Sequence, residues 1–325
     1  MSKNIVVCYD GTGNEYGKNN TNVVKVFEAI VRDDTQIAFY DPGVGTFSFL
    51  GRVLGKEVGK LLGKAFGFGL QQNIEDGYEY LMNRVQPGDR VFIFGFSRGA
   101  YTARALAGMI YRFGILQKGS KNLIPYVSKM YNKRYFSVCQ DFKRTFSHVC
   151  KPHLIGVWDT VGSLGYFYGK RFFDHTLNPD IKYGFHAVAI DEKRKKFPVN
   201  LWDESKKTDK QVIDQVWFAG VHSDVGGWYK ERALSDIAFA WMMDKASEHG
   251  LKMKDGWRDS LNQNALGEMH YSRTGFWRIW RPANREIPKG AKVHKSVIDR
   301  MNGIDGYNPT LPEVYSTVST DSYRE

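Results

Sequence analysis

Val91-Phe92-Ile93-Phe94-Gly95-Phe96-Ser97-Arg98-Gly99-Ala100 is the stretch that decides the architecture. Its first four residues are an apolar run of β-branched and aromatic side chains behind the turn signal Pro87-Gly88-Asp89, which predicts a buried strand. Ala103, Leu106, Ile110 and Phe113 then recur at helical spacing, which predicts a helix. Between the two stands Gly95-Phe96-Ser97-Arg98-Gly99, a Gly-x-Ser-x-Gly turn. Glycines on both sides let a sharp strand-to-helix turn hold a strained serine with its hydroxyl exposed, where a side chain would collide with neighbouring backbone. The helix N-terminus beneath Ser97 favours developing negative charge. An ordinary glycine-rich strand-helix junction would share the pentapeptide, but not these flanks on both sides.

A serine hydroxyl is a poor nucleophile near neutral pH, so the motif demands a base and a group to orient it. His153-Leu154-Ile155-Gly156-Val157-Trp158 reads as a second buried strand and delivers Asp159 at its end. Val216-Trp217-Phe218-Ala219-Gly220-Val221 reads as a third and delivers His222. All three residues fall beyond the carboxyl ends of strands, where open parallel sheets place their ligands. The chain order Ser, Asp, His is that of α/β-hydrolases. Asp224 is a rival acid, although two residues from His222 it would more easily cap the next turn. His186, His294 and His153 are rival bases, each more naturally a hydrogen-bonded core or surface residue.

An oxyanion hole needs the amide of Arg98 and a second backbone donor from the loop after an earlier strand. Ile5-Val6-Val7-Cys8-Tyr9 predicts that strand, and Asp10-Gly11-Thr12-Gly13-Asn14 a glycine-rich loop whose Gly11 or Thr12 amide is the candidate donor. A turn whose glycines simply adopt positive φ is the alternative. The loop lacks the Lys-Ser/Thr ending of a P-loop and the spacing of a dinucleotide fingerprint. It also has Cys8 where an aspartyl phosphatase start, Asp-x-Asp-Gly-Thr, needs its nucleophile. A metal hydrolase site drawn from Asp10, Asp159, His222 and Asp224 is a further alternative, but no metal-ligand spacing supports one, and neither metal nor cofactor is expected.

Length and composition fit one large α/β domain over residues 1–325, built on a mostly parallel sheet with helices on both faces and helical insertions. With 325 residues and 42% hydrophobic content the chain can bury a sizeable core, and it contains no Pro- or Ser-rich linker. Residues 165–212 read as an insertion and 302–325 as a polar C-terminal tail. Cys8, Cys139 and Cys150 are too few and too irregular for a disulfide framework or zinc site. No leader precedes the first strand and no apolar stretch reaches about 18 residues, so a cytoplasmic protein is expected, with delivery by a leaderless route left open. The formal charge of +11 favours anionic surfaces. Lys193-Arg194-Lys195-Lys196 and Lys206-Lys207 have no nucleic-acid recognition motif beside them, so nucleic acid is not an expected partner.

Within 44–70 lies a repeat of four residues: Leu50-Gly51-Arg52, Leu54-Gly55-Lys56, Val58-Gly59-Lys60, Leu62-Gly63-Lys64, then Phe66-Gly67. On a helix each residue type forms its own stripe, and glycine costs about 1 kcal/mol per position relative to alanine, so such a helix needs something to pack against. The protein body or an equivalent helix would serve. The sharper expectation is a lid over Ser97 that inserts Leu50, Leu54, Val58, Leu62 and Phe66 at a lipid interface while Arg52, Lys56, Lys60 and Lys64 meet anionic head groups.

Taken jointly, five motifs resemble a family. Tyr9-Asp10-Gly11-Thr12-Gly13-Asn14, Asp41-Pro42-Gly43-Val44-Gly45-Thr46, the Gly95 to Arg104 stretch, Val157-Trp158-Asp159-Thr160-Val161-Gly162, and Trp217 to Gly227 are similar to the uncharacterised α/β-hydrolase domain family that includes type VI secretion phospholipase effectors. Ala189-Ile190-Asp191-Glu192, Phe197-Pro198, Leu201-Trp202-Asp203-Glu204 and the stretch from Val293 to Arg300 extend the likeness. The resemblance implies a Ser97-Asp159-His222 triad and phospholipase A-type ester cleavage. The effectors are longer, with an added membrane-associating module. The expected activity is therefore hydrolysis of a carboxylic ester through an acyl-enzyme, on a lipid or phospholipid. A small soluble acyl ester or thioester is the alternative substrate, and a binding module with a vestigial triad the alternative class.

Overall fold

The structure, a computed structural model, describes residues 2–11, 16–43, 56–161, 175–320 and 323, with 56–68 and 276 as backbone alone. Strand β1 (Asn4–Tyr9) is buried at every position. It pairs in parallel with β2 (Gln36–Asp41) on one side and β3 (Arg90–Phe96) on the other. From β3 the sheet continues in one direction through β6 (Leu154–Trp158), β7 (Tyr183–Ala189), β8 (Val212–Phe218), β9 (Ala291–His294) and the edge strand β10 (Tyr315–Val318). All eight strands are parallel. The chain order reverses between β1 and β3, which opens the crevice in which such sheets bind ligands.

Alternation along the strands supplies a core on each face. Ile5, Val7 and Tyr9 of β1, with Val91 and Ile93 of β3, meet α2 (Lys56–Arg84) through Tyr78 and Leu81, and α3 (Arg98–Phe113) through Ala103, Leu106 and Ile110. Val6, Cys8, Phe92, Phe94 and Phe96 point the other way. They meet α1 (Asn22–Ala29) through Val23 and Val26, and α7 (Ala233–Glu248) through Ile237, Trp241 and Met242. Helix α7 is buried almost all round, as an interior helix should be. Helices α4 (Ile124–Asn132) and α5 (Cys139–Phe146), with the short antiparallel pair β4 (Ile115–Leu116) and β5 (Ser147–His148), form a helical insertion against α3.

Two expectations from sequence change here. The stretch 165–212, read as an insertion, contributes a central strand, because β7 is wedged between β6 and β8. Its Gly184 and His186 interrupt the apolar run that would have marked it. The tail 302–325 contributes the edge strand β10. In the glycine repeat, Leu50, Arg52 and Leu54 lie outside the described residues. The backbone from Lys56 through Lys60, Lys64 and Phe66 is helical and runs unbroken into the half of α2 that buries Leu70, Ile74, Tyr78 and Leu81.

The carboxyl end of β1 and the first turn of α3 approach so closely that a Cβ on Gly99 would lie 2.2 Å from the carbonyl oxygen of Tyr9 and 2.5 Å from that of Asp10. Backbone on both sides cannot yield without shifting β1 or α3. Gly99→Ala is expected to cost about 1–3 kcal/mol, read as a lower urea midpoint at unchanged slope. An unmoved midpoint would show that the contact has room to spare.

Candidate active site

Ser97 caps the N-terminus of α3 with φ 58° and ψ −117°, a conformation that L residues occupy only when their surroundings force them. Gly95 and Gly99 make the turn feasible: a Cβ on Gly95 would fall 2.5 Å from the Gly99 carbonyl oxygen. The Ser97 amide donates to the Trp158 carbonyl at 3.0 Å, which ties the turn to β6. Asp159, next along β6, also has positive φ, 40°, and its amide donates to Ala187 of β7 at 2.8 Å. His222 opens the short helix α6 (His222–Gly226), with its ring beside Phe96 and edge-on to Phe197.

The three sequence candidates converge. His222 Nε2 lies 2.8 Å from Ser97 Oγ, and its Nδ1 lies 2.5 Å from Asp159 Oδ2. With Nδ1–H donated to the carboxylate, Nε2 is left to accept the serine proton. Burial is the main influence on His222 and holds its pKa below the ordinary imidazole value, against the opposing pull of Asp159. The ring is therefore neutral near pH 7, as a base must be. Burial works against the charge of Asp159, but the Arg285 guanidinium and then His222 outweigh it and hold the carboxyl well below the usual range.

Arg285 escapes the sequence reading. Its Nη2 donates to Asp159 Oδ2 at 2.9 Å and to the Phe197 carbonyl at 3.1 Å; its Nη1 donates to Asp159 Oδ1 and to the Ala189 carbonyl. The Ala189 amide completes the shell at 3.0 Å from Asp159 Oδ1. Arg285 sits in a polar stretch 126 residues from Asp159, and no periodicity or motif marks it. Glu192, quoted above only within the family likeness, is buried behind His222: its Oε2 accepts the His222 amide at 3.3 Å, and Arg194 neutralises it.

The rivals are placed elsewhere. Asp224 accepts the Val221 amide at 3.0 Å and pairs with His270 at 2.7 Å, which is the capping role expected of it. His186 accepts the Thr160 amide, His294 caps α8 (Lys295–Gly303), and His153 contacts the His249 carbonyl. Asp10 accepts from Thr21 at 2.7 Å and Tyr40 at 2.9 Å. Its other oxygen accepts the Gly11 amide at 2.6 Å, so that candidate oxyanion donor is engaged within its own turn. Thr12 lies outside the described residues. Among the described residues no three His, Cys, Asp or Glu side chains are grouped so that they could hold a metal ion, and no helix is long and apolar enough to cross a membrane.

A parallel eight-stranded α/β sheet with a serine, a histidine and an aspartate in contact at its carboxyl edge defines a protein of α/β-hydrolase-like fold. The family model for the T6SS phospholipase effector Tle1-like catalytic domain matches residues 3–245, and the chain belongs to that family. An uncharacterized protein of Saccharomyces cerevisiae is 35% identical over 217 residues, 60% of this chain and 32% of that protein. An uncharacterized protein from Pseudomonas aeruginosa superposes with a TM-score of 0.48 at 19% identity, over 79% of this chain and 47% of that one. A Tle1 effector bound to the VgrG spike gives 0.38 at 15% identity, over 71% and 52%. The chain thus spans about a third of the curated relative and about half of each solved chain.

Arg285→Met leaves the buried Asp159 carboxylate without its guanidinium and is expected to destabilise the fold by about 3–5 kcal/mol in urea at pH 7. Because the folded pKa of Asp159 is depressed, the stabilisation it brings is present above the unfolded value of about 3.9 and is lost as pH falls further. The gap between wild type and variant should therefore narrow below that pH. A constant gap would assign the loss to packing.

Proposed function

We propose that the protein is a serine esterase that cleaves a lipid ester, with phospholipase A-type chemistry on a phospholipid as the preferred case. The observation that carries this reading is the continuous contact from Ser97 Oγ through His222 to Asp159, at 2.8 and 2.5 Å, with the serine on a strained turn. Membership of a phospholipase effector catalytic-domain family supports the lipid substrate.

Ser97 Oγ attacks the ester carbonyl carbon as His222 Nε2 takes its proton, and Asp159 stabilises the imidazolium that forms. Negative charge on the carbonyl oxygen develops over the first turn of α3, where the Arg98 amide and the helix N-terminus favour it. The tetrahedral intermediate collapses as His222 returns the proton to the leaving alkoxide, a lysophospholipid when the substrate is a phospholipid. Water, deprotonated by the same imidazole, then releases the fatty acid. Arg285 is a positioning residue: it holds both Asp159 oxygens so that one of them faces His222.

A fluorophosphonate probe is expected to label the wild type and to fail on Ser97→Ala and His222→Ala, with kcat on a phospholipid reduced about 10⁴-fold or more in each. Protonated His222 cannot accept the serine proton, so kcat/KM should fall as pH drops, with its midpoint below about 6.5. Labelling of Ser97→Ala equal to wild type would sink the serine mechanism. A midpoint above that value would assign the base to another group.

A further inference from the structure

Residues 271–286, Tyr-Ser-Arg-Thr-Gly-Phe-Trp-Arg-Ile-Trp-Arg-Pro-Ala-Asn-Arg-Glu, carry aromatic and aliphatic side chains among arginines in a part of the chain for which the reaction uses only Arg285. The segment lies over residues 192–197. Ser272 donates to Glu192 at 2.9 Å, the Ala283 amide donates to the Lys193 carbonyl at 3.1 Å, and Arg194 bridges to Pro282. Trp277 stands edge-on to Phe197 at 5.3 Å, and Phe197 stands edge-on to His222 at the same distance. The segment therefore borders the site as its rim, one aromatic ring away from His222.

Among the described side chains of the segment, Ile279 is an aliphatic group held out into solvent. Arg273 closes the turn at Gly275–Ile279 from within, donating Nε to the Trp280 carbonyl at 3.0 Å and Nη2 to the Arg278 carbonyl at 3.1 Å. Held at the end of this turn, Ile279 is 71% exposed. Trp277 and Trp280, each half-buried, pack on each other with ring centroids 5.7 Å apart. Arg278 and Arg281 of the same segment are exposed, as are Lys193 and Lys195 of the stretch it lies over. The only carboxylates in the two stretches are Glu192, buried and paired with Arg194, and Glu286. An exposed isoleucine beside a pair of packed tryptophans, in a segment rich in exposed cations, is costly in water and matches a bilayer surface of anionic lipid, with the aliphatic group below the head groups, the indoles among them and the cations on phosphate.

We propose that the rim at 275–281 is the surface through which this protein seats its catalytic site on an anionic lipid bilayer, with Ile279 inserted and Arg278 and Arg281 on lipid phosphates. This rests on the lipid-ester reading of the site. It locates the membrane contact about the mouth of that site, on residues distinct from the glycine repeat.

The test uses Ser97→Ala protein, so that the vesicles stay intact, sedimented with phosphatidylcholine vesicles with and without phosphatidylglycerol. Binding is expected to require phosphatidylglycerol and to weaken with salt. Adding Arg278→Ser and Arg281→Ser should weaken it about thirtyfold, at about fivefold per cation. Ile279→Ser should weaken it in both salt conditions alike. A charge-matched pair of exposed lysines outside the segment, Lys118→Ser beyond the far end of α3, about 24 Å along that helix from Ser97, with Lys133→Ser at the end of α4, should bind as the parent does. Thermal unfolding midpoints close to the parent's would show that all variants fold. Equal losses in both pairs would reduce the effect to net charge and overturn the proposal, as would unchanged binding of the Arg278 and Arg281 variant. Fluorophosphonate labelling of the unaltered protein needs no bilayer and reports on Ser97 separately. Labelling without vesicle binding would overturn the membrane surface and leave the esterase standing, with the rim then facing protein.

Discussion

One buried carboxylate organises the site and half of the fold around it. Asp159 has no exposure to water, and an ion of that kind without partners costs several kcal/mol. Its compensation comes from three directions: the Ala189 amide at the end of β7, the imidazole at the start of α6, and Arg285 from the segment before β9. Each donor is distant in sequence, so pairing the charge also fixes where β7, α6 and the 271–286 rim lie relative to β6. The same geometry leaves one Asp159 oxygen facing His222, so the cluster that neutralises the buried charge also orients the imidazole.

Around that cluster, strain is held rather than relieved. Ser97 and Asp159 both have positive φ, and each is kept there by a hydrogen bond its amide donates to the neighbouring strand, Ser97 to the Trp158 carbonyl and Asp159 to the Ala187 carbonyl. The sheet on one side and α3 on the other leave the elbow no alternative path, since Gly99 already touches the end of β1. Two consecutive strand ends thus present their side chains upward into the crevice where the strand order reverses. The stretches 192–197 and 271–286 reach the site from the other side, Phe197 against His222 and Arg285 on Asp159. A surface that touches a membrane there would sit against His222 by way of a single aromatic ring.

Much of this was legible in the chain. Ser97, Asp159 and His222 each follow a strong apolar run, and a residue just beyond a buried parallel strand must emerge at the carboxyl edge of the sheet. Three such residues emerge on one edge of the sheet, and the strand order then decides that His222, past β7, reaches both Asp159 and Ser97. Strand β7 was harder to see because Gly184 and His186 break its apolar run, yet His186 is satisfied by the Thr160 amide and Gln215 in the core. Strand β10, polar and exposed, has no hydrophobic signature because an edge strand needs only backbone partners. The Gly11 amide looked free to hold an oxyanion, and only the three-dimensional contact shows it turned to the Asp10 carboxylate.

What the sequence determined by itself is the class of fold, the strand-end positions of the three site residues and the glycines that make the elbow feasible. These follow from local rules, strand periodicity and steric exclusion at φ and ψ, which need only near neighbours. Only the tertiary structure decided that Arg285 rather than a nearer cation pairs with Asp159, and that the segment carrying the exposed Ile279 lies against Phe197. Electrostatic pairing and exposure depend on distances between segments far apart in the chain, 126 residues for Asp159 and Arg285, and a charged or apolar residue in a loop carries no local mark of what it will meet.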